Sequence, residues 1–170
     1  MQVTFKGNPV TLEGTVIKAG NPAPTFTAID NNLKPISSDL FTGKKVYVSV
    51  PSIDTDVCDT EVRRFNQEAA NLEGVKVYTI SMDLPFAQAR WCGAAGIENV
   101  QTLSDYKDHD FGAKFGTYIK ELGLLARAVF VVDEHNTVTY VEYCKEISQE
   151  PDYESVLNAL KYKQKSMIGT

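Results

Sequence analysis

The sequence predicts a mixed α/β domain in which strands and helices alternate. Three observations point there. Residues 45–50 carry Val46, Val48 and Val50 at every second position and run straight into a stripe of apolar residues at helical spacing. Residues 75–81 repeat that strand-then-helix arrangement. Residues 127–133 are almost entirely apolar, which suits a strand covered on both faces. A chain of 170 residues, 43% hydrophobic and 23% charged, is the size of one domain and large enough to fold without a metal or disulfide staple.

The opening reads as a hairpin: Val3 and Phe5 alternate with polar residues, Gly7-Asn8-Pro9 offers a turn, and Val10 and Leu12 resume the alternation. Residues 20–26, GNPAPTF, read as a loop because two prolines and a glycine oppose regular pairing. After the strand at 45–50, Cys58, Val62, Phe65, Ala69 and Leu72 recur at helical spacing until Gly74. The strand at 75–81 follows, and Pro85 opens a second helix that runs through Trp91 to about Ala95, with Gly96 as its stop. A short strand at 100–103 and a short helix at 109–115 come next. The apolar strand at 127–133 turns through Asp133-Glu134-His135-Asn136 into a partner at 137–143, and an amphipathic helix closes at 152–163 with Tyr153, Val156, Leu157 and Leu160 inward. A βαβ unit followed by a hairpin and a last helix is the wiring of a thioredoxin-like α/β sandwich with additions.

Composition removes several classes of function. Seventeen basic against 22 acidic residues leave a net charge of −5, the wrong sign for non-specific binding to nucleic acid or to an anionic membrane. No apolar run approaches the roughly 18 residues of a membrane helix, and the N-terminus lacks a charged-then-apolar leader, so a cytoplasmic location is expected. The three cysteines, Cys58, Cys92 and Cys144, are too few and too odd for a structural disulfide framework, which leaves reactivity as the reason one of them would matter. His109 and His135 stand apart in polar contexts, and no metal-spaced cluster, phosphate loop or dinucleotide fingerprint is present, so no metal or cofactor is expected.

Cys58 stands out by position. It follows a strand and falls in the first turn of a helix capped by Thr55 or Asp54. Unpaired amides and the helix dipole favour an anion there, and the thiolate is the nucleophilic form of cysteine. The same position also suits a small buried residue at the head of an apolar stripe. Arg127 is the second oddity. It interrupts the run from Leu124 to Val132, and a guanidinium in such surroundings must find an anion or acceptors. Either the Cys58 thiolate or a carboxylate elsewhere would serve. Arg63 and Arg64 fit a solvated helix face, and Cys144, with no cap, base or arginine beside it, reads as structural.

Pro51, Thr55 and Cys58 form P-x-x-x-T-x-x-C between a strand and a helix. This resembles the active-site signature of the peroxiredoxins. The longer strings PSIDTDVCDTEVRRFN, SMDLPFAQARWCGAAGIENV and LSDYKDHDFGAKFG are similar to the thiol peroxidase branch of that family, of the atypical two-cysteine type, and the resemblance spans the chain. It implies a peroxiredoxin domain over residues 1–170 with residues 1–18 as an added hairpin.

The resemblance also implies chemistry. Cys58 would be the peroxidatic residue that attacks a peroxide oxygen and becomes a sulfenic acid. Thr55 would aim its hydroxyl at the sulfur or the peroxide, Pro51 would shield the thiolate, and Arg127 would contact both sulfur and peroxide. Glu61 is a candidate hydrogen-bonding residue. Cys92 would be the resolving residue, forming an intramolecular disulfide with Cys58 after local unwinding around both cysteines, and thioredoxin would reduce that bond. Hydrogen peroxide and alkyl hydroperoxides are the implied substrates, and a homodimer the implied assembly. A redox sensor or holdase using the same cysteine pair is the alternative of a different class.

Overall fold

The computed structural model describes residues 1–69, 72–96 and 100–161. The chain opens with β1 (Gln2–Phe5) and β2 (Asn8–Glu13). These pair with β8 (Tyr118–Ile119) and β9 (Leu124–Leu125) in a small sheet ordered β1-β2-β8-β9. The main sheet has seven strands in the order β11-β10-β5-β6-β7-β3-β4. Its members are β3 (Thr27–Ile29), β4 (Pro35–Ser37), β5 (Lys44–Ser49), β6 (Val75–Ser81), β7 (Val100–Ser104), β10 (Ala128–Val132) and β11 (Val138–Tyr143). β5, β6 and β7 run parallel; β10 lies antiparallel to β5, and β11 to β10. The helices are α1 (Asp56–Glu68), α2 (Pro85–Ala95), α3 (Asp110–Phe115) and α4 (Tyr153–Lys161).

The alternation along β5 sorts its side chains. Val46 and Val48 join the layer under α1 and α4, with Val62, Phe65, Tyr153 and Val156, while Tyr47 faces the opposite layer with Phe26, Phe111, Phe115 and Phe130. The expected βαβ unit, terminal hairpin and closing helix are all present. Gly96 ends α2 in the left-handed conformation, and Pro85 sits in its first turn. Residues 162 and 163 of the expected closing helix lie outside the described residues.

Three expectations need correction. The first turn is Lys6-Gly7, both at positive φ (51° and 81°); Asn8 and Pro9 already belong to β2, facing Phe5 and Thr4. Proline is tolerated there because Thr4–Pro9, the second pair out from a two-residue turn, is a non-hydrogen-bonded pair, and the Thr4 amide instead donates to the Lys145 carbonyl (2.7 Å). The first helix stops at Glu68 with Ala69 as its cap, and the Leu72 amide turns back to the Ala69 carbonyl (3.1 Å). Leu72 thus packs on the core from beyond the helix end. The strands at 27–29, 35–37, 118–119 and 124–125 add to the expected set; segments of two or three residues carry no measurable periodicity. Among the described residues no helix is long and apolar enough to cross a membrane.

Candidate active site

The parallel strands β5, β6 and β7 end together, and the crevice beyond such ends is where α/β sheets place ligands. Residues 50–55 leave β5 there and enter α1. Thr55 is the N-cap: extended at φ −124°, it accepts the Cys58 amide on its hydroxyl oxygen at 3.3 Å. The same hydroxyl donates to the Ser52 carbonyl (3.2 Å), so in this structure its proton points away from the sulfur. Cys58 is therefore the third residue of the helix, and its side chain is 0% exposed among Val50, Ile53, Val62 and Val129.

What rescues that sulfur from a purely apolar setting is Arg127, itself only 2% exposed. Its Nη2 donates to the Cys58 Sγ at 3.0 Å, its Nη1 to Glu61, and its Nε to the Ile147 carbonyl at 2.7 Å. All three guanidinium nitrogens are thus engaged, which is how a charge survives next to the apolar strand β10. The two partners weighed for Arg127, the Cys58 sulfur and a carboxylate, are bound at once. Burial works against the guanidinium's charge, but Glu61 and the Cys58 sulfur together hold it charged. Burial pushes the Glu61 carboxyl upward, and Arg127 pulls it part of the way back.

Glu61, the candidate hydrogen-bonding residue, accepts from the arginine one helical turn beyond Cys58. The Ile147 carbonyl was not foreseen: a backbone oxygen has no side-chain signature, and nothing in the residue type points to it. Arg63 and Arg64 lie on the exposed face as expected, paired with Asp59 (2.6 Å) and Glu68 (2.9 Å).

A cleft of about 350 Å³ opens beside this turn, lined by Pro51, Thr55, Val57 and Arg127, with Phe5 and Lys6 contributed by the N-terminal hairpin. The hairpin's share was not expected either, since its residues lie some fifty positions from Cys58.

Cys92 sits elsewhere. It is half-buried on α2, with its sulfur 3.5 Å from the Thr102 hydroxyl on β7. Thr102 gives its own proton to Asn31 Oδ1 (3.0 Å), which leaves the Cys92 thiol as the donor. Burial pushes that thiol up from its ordinary range. Cys58 lies in the first turn of the helix that follows β5, whereas Cys92 lies late in α2 against β7, and β6 runs between those two strands. All three cysteines are free thiols. Cys144 is buried, and its amide donates to the Arg127 carbonyl at 3.0 Å.

Residues 18–157 match the sequence profile of the redoxin family. The chain belongs to the redoxins. This redoxin is 58% identical to the thiol peroxidase of Clostridium acetobutylicum over 94% of its own length and 97% of the relative's. It is 57% identical to the thiol peroxidase of Bacillus subtilis, over 94% and 96% of the two chains. Among solved structures it superposes on a peroxiredoxin-like protein from Aquifex aeolicus with a TM-score of 0.86, 42% identity, and coverage of 94% and 95%. A thiol peroxidase from Chromobacterium violaceum superposes with a TM-score of 0.87 over 95% of each chain at 22% identity, a likeness of fold. The thioredoxin-like peroxiredoxin fold and the thiol peroxidase branch expected from the motifs are both found.

Proposed function

We propose that this redoxin is a thiol peroxidase that reduces hydrogen peroxide and organic hydroperoxides, using Cys58 as the nucleophile. The observation that carries this reading is the 3.0 Å contact to the Cys58 sulfur from the Nη2 of Arg127, a residue that also lines an open cleft. A fixed positive charge and the opening amides of α1 favour sulfur as an anion. The thiolate attacks the terminal peroxide oxygen: a sulfur–oxygen bond forms, the O–O bond breaks, and the leaving alkoxide or hydroxide takes up a proton as alcohol or water. Arg127 lies where charge develops on those oxygens. Thr55, once a peroxide enters, can turn its hydroxyl from Ser52 to the substrate, and Pro51 limits water at the sulfur.

Cys92 then attacks the sulfenic acid. The S–O bond breaks, hydroxide leaves with the Cys92 proton as water, and a Cys58–Cys92 disulfide remains. Exchange with thioredoxin returns both thiols. Each cysteine is held in a helix, Cys58 in the first turn of α1 and Cys92 late in α2, so the reading includes local unwinding at the start of α1, around Cys92, or both. The reading places the chain, as one domain of residues 1–170 with the hairpin 1–18 added, in a cytoplasmic homodimer serving antioxidant defence.

The test is stopped-flow consumption of hydrogen peroxide with thioredoxin, its reductase and NADPH. The wild type turns over many times; Cys58→Ser consumes none; Cys92→Ser consumes its first equivalent but is not recycled by thioredoxin. A wild type that stops at one equivalent would instead be a sensor.

A further inference from the structure

Asp83 joins the segments that carry the two cysteines. It follows β6, and its carboxylate accepts the Ser52 hydroxyl (2.7 Å) and the Ile53 amide (2.9 Å) from the loop that leads into Cys58. It also accepts the Ser81 hydroxyl at 2.6 Å. Ser81 in turn receives the side-chain amide of Gln88 (3.0 Å), which is wholly buried and also donates to the Leu103 carbonyl (2.8 Å). Gln88 lies on α2 one turn before Cys92, on the same face. The bonds therefore run without a gap from the Cys58 loop through Asp83 and Ser81 to the helix of Cys92. A second cleft, of about 480 Å³, borders this connection between Ser52, Ile53 and Asp83 on one side and Ala87 and Trp91 on the other.

We propose that Asp83 is a positioning residue, a latch that keeps both segments in their peroxide-reactive arrangement and must release before Cys58 and Cys92 can join. The inference rests on the reading of Cys92 as the resolving thiol. The latch sets a competition. When it opens, the Cys92 thiol condenses with the Cys58 sulfenic acid: an S–S bond forms, the S–O bond breaks, and water leaves. While it stays closed, the sulfenic sulfur can attack a second peroxide: a second S–O bond forms, the O–O bond breaks, water or alcohol leaves, and sulfinic acid remains. Hydrogen bonds to a charged group are strong enough for the loss of one to shift such an equilibrium about tenfold.

The experiment mixes reduced enzyme with a graded excess of hydrogen peroxide, then quantifies the Cys58–Cys92 disulfide and Cys58 sulfinic acid by mass spectrometry against time. Asp83→Asn is expected to speed disulfide formation about tenfold and to lower the sulfinic fraction at each peroxide concentration. Ser52→Ala, which removes one donor and leaves Asp83 in place, is expected to move both in the same sense by a few-fold. The first oxidation should slow in both variants, because the same loop carries Pro51 and Thr55. A merely structural role would lower the melting temperature without moving the disulfide-to-sulfinic ratio. If the wild type forms the disulfide and both variants match its ratio, the latch is wrong. If the wild type forms no Cys58–Cys92 disulfide, the resolving role of Cys92 falls first and the latch with it.

Discussion

Arg127 and Glu61 form an ion pair in which both side chains are almost wholly enclosed, 2% and 0% exposed, and the same guanidinium also touches the Cys58 sulfur. A pair so placed cannot lose one member cheaply. Arg127→Ala strands a buried carboxyl, and such a change costs about 3–5 kcal/mol. It should also slow peroxide consumption by about 10²–10³-fold, the usual effect of removing one oxyanion-stabilising donor. Adding Glu61→Gln to that variant should restore much of the stability and none of the rate. Urea unfolding and stopped-flow kinetics on the single and double variants check this. A double variant that regains the rate would mean the guanidinium acts only through Glu61.

Thr55 has two tasks that substitutions can separate. As a cap it contributes about 1 kcal/mol, and Thr55→Val should lose that together with at least tenfold in the peroxide step. Thr55→Ser should recover both. Thr55→Asn keeps a capping oxygen but no hydroxyl, so it should recover the melting temperature and leave the rate low. Full kinetic recovery in Thr55→Asn would reduce Thr55 to a cap.

Asp105, 2% exposed, accepts the amides of Phe111 and Gly112, both at 2.9 Å. Burial pushes its carboxyl up to about 6 from an ordinary 3.8, outweighing the two amides that favour the anion. A carboxyl raised in the folded state holds its proton more tightly there than in the unfolded chain. Its stabilising contribution is therefore complete below pH 3.8 and is lost as the pH rises through about 6. The difference amounts to about 3 kcal/mol. Asp105→Asn abolishes the titration, so the wild type should lose that amount relative to the variant across this window. Denaturant unfolding of both proteins at a series of pH values reads it, and a constant difference would contradict it.

Cys144 should be inert. Burial and the neighbouring carboxylates of Glu142 and Glu61 push its thiol far up, which leaves little nucleophilic thiolate at neutral pH. Under native conditions an alkylating reagent should label Cys144 only at the pace of unfolding, and Cys144→Ala should keep peroxide turnover within about twofold, because its bond to the Arg127 carbonyl runs through the backbone amide, which the substitution leaves in place. Rapid native labelling would show that this cysteine is reactive after all.

The local sequence was enough for features that depend on neighbours a few positions away. The valines of residues 46–50 set a strand with one apolar face, the spacing from Cys58 to Phe65 set a helix, and the polar residues just before it narrowed the cap to Thr55 or Asp54. The charge of Arg127 inside an apolar run was enough to say that it must be neutralised. The chain as a string did not say by what. Arg127 meets Cys58, Glu61 and Ile147 across separations of 69, 66 and 20 residues. Asp83 meets Ser52 and Ile53 across 31 and 30, and the hairpin's Phe5 and Lys6 reach the cleft from some fifty positions before Cys58. Periodicity reports which face of an element is apolar; it carries no information about which strand ends the sheet brings level. That alignment comes from pairing β10 beside β5 and stacking β5, β6 and β7 in register, and only in the folded sheet do one guanidinium and one carboxylate each gather partners from distant segments.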